Sequence, residues 1–141
     1  MRRLVVDASV LLAAPVGRPE GSPSLLIEAA RAGTFEMIAR ETLFGEFERG
    51  LVGRYFRDRV RDEERVLLSA MVRGVATVFP DPVSVPRVIR DSADDYLVAL
   101  APPAQADAIV TGDRDLLDHE GLGPQALTAH EACAQLGLLE L

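Results

Sequence analysis

The sequence predicts an α/β fold: a parallel sheet of four or five strands, flanked by helices on both faces. Short apolar runs rich in β-branched residues alternate with helical patterns, and this alternation builds parallel sheets. Two of these runs, residues 4–6 and 108–111, are followed by the aspartates Asp7 and Asp113. Parallel strands present their carboxyl ends at one edge of the sheet, where such folds place their sites. We therefore expect both aspartates at that edge.

The chain is expected to form a single domain over residues 1–141. Its composition, 48% hydrophobic and 26% charged, is ordinary for a globular protein. The one cysteine, Cys133, cannot form an internal disulfide, which suits a reducing compartment, and its apolar surroundings predict a packing role. No apolar stretch approaches the length of a membrane span, and Asp7 interrupts the N-terminal apolar run. We expect a cytoplasmic protein with no membrane contact.

In the first half of the chain, three strands and several helices are predicted. The predicted strands are residues 4–6, 35–39 and 75–79. A first helix is predicted to begin near residue 10, and three further helices are predicted over 23–32, 41–52 and 59–72. Ser22 is expected to cap the second helix, with Pro23 at its first position and Gly33 at its end. Leu43, Phe47 and Leu51 share one face of the third helix, which we expect to be buried.

The second half of the chain continues the alternation of strands and helices. A helix over 96–101 is predicted after a start resembling a capping box at Ser92, whereas residues 86–90 are left unassigned. The strand over 108–111, a short helix over 114–119 and a fifth strand over 126–128 follow. Thr128 is expected to cap the final helix.

Each acidic residue near the predicted strand ends has an ordinary structural explanation. Asp7 and Asp113 could cap helices, and Asp94, Asp95 and Asp115 could be first-turn acids that a helix dipole favours. Glu46 lies at the margin of a buried helix face, where an unpartnered glutamate is unusual. Its neighbour Glu48 points about 200° away and is expected to be plain surface.

The combination of these acids is more informative than any one of them. If Asp7, Glu46, Asp95 and Asp113 converge, each pair near 4 Å costs about 4 kcal/mol at an effective dielectric of 20. Such a cluster must take up protons or hold a cation. Oxygen ligands without histidine or thiolate favour Mg²⁺ or Mn²⁺, as one ion or two, and the two histidines have no ligand spacing. A hard divalent ion in an acidic pocket points to phosphate chemistry.

The net charge of −7 argues against indiscriminate nucleic-acid binding, but the charge is unevenly spread. All fifteen basic residues are arginines, and seven lie between Arg49 and Arg73. We favour a solvated helical surface with internal ion pairs over a phosphate-tracking patch, since basic footprints are usually stronger than this. If RNA is bound there, the candidate contacts are Arg49, Arg54 and Arg57.

Four stretches together resemble one known family. VVDAS at 5–9, the isolated helical Glu46, DDYLVALA at 94–101 and VTGDRDLL at 110–117 resemble the PIN domain, and within it the VapC-like toxins of prokaryotic toxin–antitoxin systems. The resemblance covers essentially the whole chain, in the family's motif order. It implies a Rossmann-like PIN fold and a metal-dependent ribonuclease that cleaves single-stranded RNA.

The resemblance also implies roles for individual residues. Asp7, Glu46, Asp95 and Asp113 match the family's acidic quartet, with Glu46 binding metal or orienting the attacking water. Asp115 matches an additional acid, and Ser9 matches a hydroxyl that helps to hold water or phosphate. Thr111 and Asp94 are supporting candidates, and Asp94 could replace Asp95 as the third ligand. A homodimer and a cognate antitoxin are the implied protein partners.

Two alternatives to the nuclease are considered. The first is a catalytically inactive PIN-fold module that binds RNA or an antitoxin, which would leave the clustered charge uncompensated. The second is a phosphotransfer domain with Asp7 as nucleophile. Ser9 stands where a dehalogenase-like site needs a second aspartate, and the chain lacks the lysine of a receiver domain. No nucleotide-binding glycine loop is present in the sequence.

Overall fold

A computed structural model of the protein describes residues 1–80, 104–119 and 124–139. Within these residues five strands form one sheet in the order β3-β2-β1-β4-β5, and every neighbouring pair is parallel. The strands are β1 (Arg3–Val6), β2 (Glu36–Arg40), β3 (Ala76–Phe79), β4 (Ala108–Val110) and β5 (Ala126–Leu127). The predicted α/β class, with a parallel sheet between helices, is confirmed.

The described helices are α1 (Ala8–Ala13), α2 (Ser22–Arg31), α3 (Leu43–Leu51), α4 (Arg54–Arg57), α5 (Asp62–Val75), α6 (Arg114–Leu117) and α7 (Ala129–Gln135). The helix predicted over 59–72 is wrong at its start, because α5 begins at Asp62 and α4 precedes it as a separate turn. Val60 between them is buried, which draws the connecting chain towards the core. Three consecutive acids then favour a helix start at Asp62 through the helix dipole.

The two faces of the sheet are buried by alternating strand residues. On one face Val5, Ile38 and Ile109 pack with Leu116 of α6. On the other face a larger cluster includes the strand residues Leu4, Val6, Met37, Ala39 and Val110 together with residues of α1, α2, α3 and α7. Successive side chains of a strand point to opposite faces, so the same alternation predicts the face on which the residues directly after each strand lie.

Several local predictions are confirmed and one is wrong. Leu43, Phe47 and Leu51 are buried, Gly33 adopts a φ of +80° after α2, and Thr128 and Glu131 form the capping box of α7. Ser22 is not the cap of α2: Gly21 takes that position without a side-chain hydrogen bond, and Ser22 is already helical.

Cys133 is fully buried in α7, as a packing residue should be. Burial raises the pKa of its thiol, which donates a hydrogen bond to the carbonyl of Ser22. Among the described helices, none is long and apolar enough to cross a membrane. The helix predicted over 96–101, the start predicted for it at Ser92, and the candidate ligands Asp94 and Asp95 lie outside the described residues.

Candidate active site

Three polar residues stand side by side where the central strands end. The parallel register pairs Val5 with both Ile38 and Ile109. Two residues further along each strand, the same register places Asp7 between Arg40 of β2 and Thr111 after β4. Because side-chain direction repeats every two residues, all three belong to the face of Val5, Ile38 and Ile109. The expectation that Asp7 and the end of β4 meet at one sheet edge agrees with this register.

The carboxylate of Asp7 is held by two hydroxyl groups. Thr111 Oγ1 donates to Oδ2 of Asp7 at 2.9 Å, and Ser9 Oγ donates to the same oxygen at 3.2 Å. The backbone N–H of Asp7 is bound to the carbonyl of Val110 at 2.9 Å. Within the described residues both side-chain bonds end on Oδ2, so Oδ1 is left to accept a further ligand.

Thr111 and Ser9 also bind the loop after β4. The N–H of Asp113 donates to Thr111 Oγ1 at 3.0 Å, and the N–H of Gly112 donates to Ser9 Oγ at 3.1 Å. Thr111 is completely buried, so its hydroxyl needs these partners. The result is a short hydrogen-bonded chain that joins the carboxylate of Asp7 to the backbone of Asp113.

Asp113 has the capping role that the sequence allowed for it. Its Oδ1 accepts a hydrogen bond from the N–H of Asp115 at 2.8 Å, at the start of α6. A cap uses one carboxylate oxygen, so capping and ligand binding by Oδ2 are compatible. Asp115 itself is exposed at the first turn of α6.

Glu46 is engaged by a cation that the sequence analysis did not consider. Arg40 Nη1 lies 3.0 Å from Glu46 Oε1, and Thr42 Oγ1 donates to the same oxygen at 3.3 Å. Glu46 is about a third exposed, as expected for the margin of a buried face, whereas Arg40 is buried. The sequence feature that could have predicted this pair is the position of Arg40 directly after the apolar run Met37-Ile38-Ala39. An arginine that continues a buried strand needs an acidic partner.

The carboxylate oxygens of the described residues suit a hard divalent cation, but these residues form only part of a metal site. Among them, no group of three acidic, histidine or cysteine side chains is close enough to hold a metal. Asp7 and Asp113 both carry carboxylates, and the hydroxyl of Thr111 contacts the carboxylate of the first and the backbone N–H of the second. Mg²⁺ is commonly held by one or two carboxylates, with water and substrate phosphate completing its shell. The carboxylates of Asp7 and Asp113 are of the kind that such an ion uses.

The arginine-rich segment carries the internal ion pairs that were expected. Arg61 pairs with Glu64 at 2.8 Å, and Arg65 pairs with Asp62 on the same helix. The candidate RNA contacts Arg49, Arg54 and Arg57 are exposed. These pairs agree with a solvated helical surface, and the three exposed arginines remain candidates for RNA contact.

The expectation that Glu48 is plain surface is wrong. Its Oε1 accepts hydrogen bonds from Ser69 Oγ at 2.9 Å and from Arg73 Nε at 3.1 Å, which ties α3 to α5. The hydrogen bond from Arg73, and then that from Ser69, lowers the pKa of Glu48. The guanidinium of Arg73 also lies over the ring of Phe44, 4.7 Å from its centre.

Comparisons with known proteins agree with this architecture. The crystal structure of PAE2754 from Pyrobaculum aerophilum superposes with a TM-score of 0.67 and 18% sequence identity, covering 98% of this chain and 91% of that chain. At that identity the likeness shows the fold alone. No curated protein matches the chain at a significant level. The family model described as PIN domain matches residues 3–115, which include Asp7, Glu46 and Asp113. The chain therefore belongs to the PIN domain family, whose members are generally nucleases.

Proposed function

We propose that this protein is a Mg²⁺- or Mn²⁺-dependent endoribonuclease that cleaves single-stranded RNA, and that it is the toxin of a type II toxin–antitoxin pair. One observation carries the proposal. Asp7, in a PIN-family chain, is fixed by Thr111 and Ser9 at the carboxyl edge of the sheet, directly beside the loop that bears Asp113. The toxin assignment rests on the sequence resemblance.

The acidic residues would share the work of holding one or two ions. Asp7 and Asp113 present carboxylate oxygens from neighbouring strand ends, and the resemblance adds Asp95, or Asp94 in its place. Asp115 is an additional acid at the same helix start. A bound divalent ion would neutralise the phosphodiester, lower the pKa of a water and stabilise the leaving oxygen. Without such an ion, the acids would repel a polyanionic substrate.

The remaining residues would orient these groups and bind RNA. Thr111 and Ser9 keep Asp7 in one orientation, so that little reorganisation is needed when an ion is bound. Arg49, Arg54 and Arg57 are exposed and supply positive charge for backbone phosphates. A homodimer and an inhibitory antitoxin complete the proposal on the strength of the resemblance, as does a cytoplasmic location.

The test is cleavage of a mixed panel of single-stranded RNAs with Mg²⁺, with Mn²⁺ and with EDTA. Asp7→Asn should abolish cleavage while keeping the fold, because the amide oxygen can still accept from Thr111. The matched control is Asp107→Asn. Asp107 accepts from the N–H of Arg3 at 2.7 Å, at the start of the same two strands and thus at the opposite edge of the sheet. That variant should cleave like the wild type.

Three outcomes of this experiment separate the hypotheses. Cleavage that needs both the metal and Asp7 would support the nuclease and its site. Equal cleavage by Asp7→Asn would overturn the assignment of Asp7. If the folded wild type binds RNA without metal and cleaves nothing, the inactive binding module becomes the better description.

A further inference from the structure

Arg40 occupies an unusual position for a cation. It is the last residue of β2, and its side chain is only 10% exposed. A guanidinium at this depth is strongly desolvated, so it requires an acidic or hydrogen-bonding partner. Its Nη1 is 3.0 Å from Oε1 of Glu46.

The surroundings of Arg40 are the candidate active site itself. By the strand register Arg40 stands next to Asp7, on the same face of the sheet. A permanent positive charge therefore lies in the row of residues that we propose to hold a divalent ion. Its burial leaves little of the guanidinium for a substrate phosphate to touch, so the charge acts on the site from within the protein.

Glu46 is committed to this cation in the structure. Its Oε1 receives both Arg40 and Thr42, which holds the carboxylate beside the guanidinium. A metal bound through Oε1 would break these contacts, and one bound through Oε2 would draw the negative charge of Glu46 away from Arg40. Drawing an acidic partner away from a desolvated arginine is unfavourable. The ion pair also cancels one negative charge of the acidic cluster, which reduces the attraction for a second cation.

We propose that Arg40 is a built-in counter-cation that holds Glu46 outside the ligand set of the metal, so that Glu46 acts as a positioning residue. This inference rests on the proposed metal site and assigns a role within it. Two roles were left open for Glu46, metal binding and orientation of the attacking water, and the inference assigns it the second. Arg40 thereby sets how tightly the site binds a divalent ion before RNA arrives.

The experiment is a titration of the purified protein with Mn²⁺ alone, in the absence of RNA, followed calorimetrically or by the EPR signal of free Mn²⁺. Asp7→Asn should weaken binding by about tenfold or more, as expected for a lost ligand. Glu46→Gln should stay within about threefold of the wild type, since the amide can still accept from Arg40. Asp107→Asn serves as the matched control.

Changing Arg40 should have the opposite effect. Arg40→Met should tighten Mn²⁺ binding by about tenfold, because a like charge leaves and Glu46 is released towards the ion. The double variant Arg40→Met/Glu46→Gln should lose that gain. Arg40→Lys, which retains the charge, should remain close to the wild type. Thermal unfolding of each variant establishes that it is folded.

The possible results separate the two proposals. If Glu46→Gln weakens Mn²⁺ binding as strongly as Asp7→Asn, Glu46 is a ligand and the inference is overturned, even if Arg40→Met fails to fold. Unchanged affinity in folded Arg40→Met also overturns it. If the wild type and every variant bind no Mn²⁺, the proposed metal-dependent function fails and the inference fails with it.

Discussion

Thr111 Oγ1 donates a hydrogen bond of 2.9 Å to Oδ2 of Asp7, although the two residues are 104 positions apart in the sequence. The same hydroxyl accepts the N–H of Asp113 at 3.0 Å. One buried side chain thus aligns the carboxylate that follows β1 with the loop that follows β4. The relative placement of the two aspartates depends on this contact, and its removal is the most direct perturbation of the site that leaves the acids themselves unchanged.

Thr111→Val should reduce cleavage by about 10- to 100-fold, the usual effect of losing a group that orients a metal ligand. Valine fills nearly the same space but cannot donate to Asp7. Thr111→Ser retains the hydroxyl and should keep most of the activity. The measurement is kcat/KM on an RNA that the wild type cleaves. Full activity of the valine variant would show that Asp7 needs no such support.

Glu48→Gln should lower stability in a pH-dependent way. The pKa of Glu48 is lowered in the folded state from its ordinary value of 4.5, mainly by the hydrogen bond from Arg73. A lowered folded pKa contributes stability above the unfolded pKa, and the contribution is lost as the pH falls through the folded value. The pair is partly exposed, so solvent screening limits the loss at neutral pH to roughly 0.5–1 kcal/mol.

Urea unfolding of wild type and Glu48→Gln at neutral pH and near pH 3 measures this difference. The gap between the two proteins should shrink in acid. The control is Glu41→Gln, at an exposed glutamate just before α3, and its stability should differ little from the wild type at either pH. A gap for Glu48→Gln that is independent of pH would contradict the ion pair as its cause.

Arg54→Gln/Arg57→Gln should weaken RNA binding without altering the fold, since both side chains are exposed. Binding is best measured in the Asp7→Asn background, which should not cleave the RNA. Each phosphate contact to a single strand adds about 0.7 to the salt slope, so the slope should fall by about 1.4. Arg31→Gln is the control. Arg31 ends α2 shortly before β2 begins, so it lies towards the edge of the sheet opposite to Asp7. An unchanged slope would exclude these two arginines as phosphate contacts.

Thr128→Ala should destabilise the protein by about 1 kcal/mol, because it removes the side-chain cap of α7. In the structure Thr128 Oγ1 accepts from the N–H of Glu131 at 3.0 Å. Thr128→Ser should retain the cap and lose much less. The comparison is made by thermal or urea unfolding. Equal destabilisation by serine and alanine would attribute the effect to the lost methyl group and not to the hydrogen bond.

Much of this architecture follows from local sequence signals. Strands β1 and β4 were predictable because short apolar runs rich in β-branched residues favour a buried strand. The buried face of α3 was predictable because Leu43, Phe47 and Leu51 repeat at helical spacing. The boundary between α4 and α5 was not predictable. It depends on the burial of Val60, which is a property of the packed core and has no periodic signature.

The amino-acid sequence alone was enough to predict the class of the fold, the strand ends that Asp7 and Asp113 follow, and the cap of α7, because these features are signalled by residues close together in the chain. The partners of the polar side chains became known only from the folded structure. Arg40 pairs with Glu46, Thr111 binds Asp7, and Glu48 joins α3 to α5. Such choices depend on distances of a few ångströms between segments brought together by packing, and no spacing along the chain encodes them.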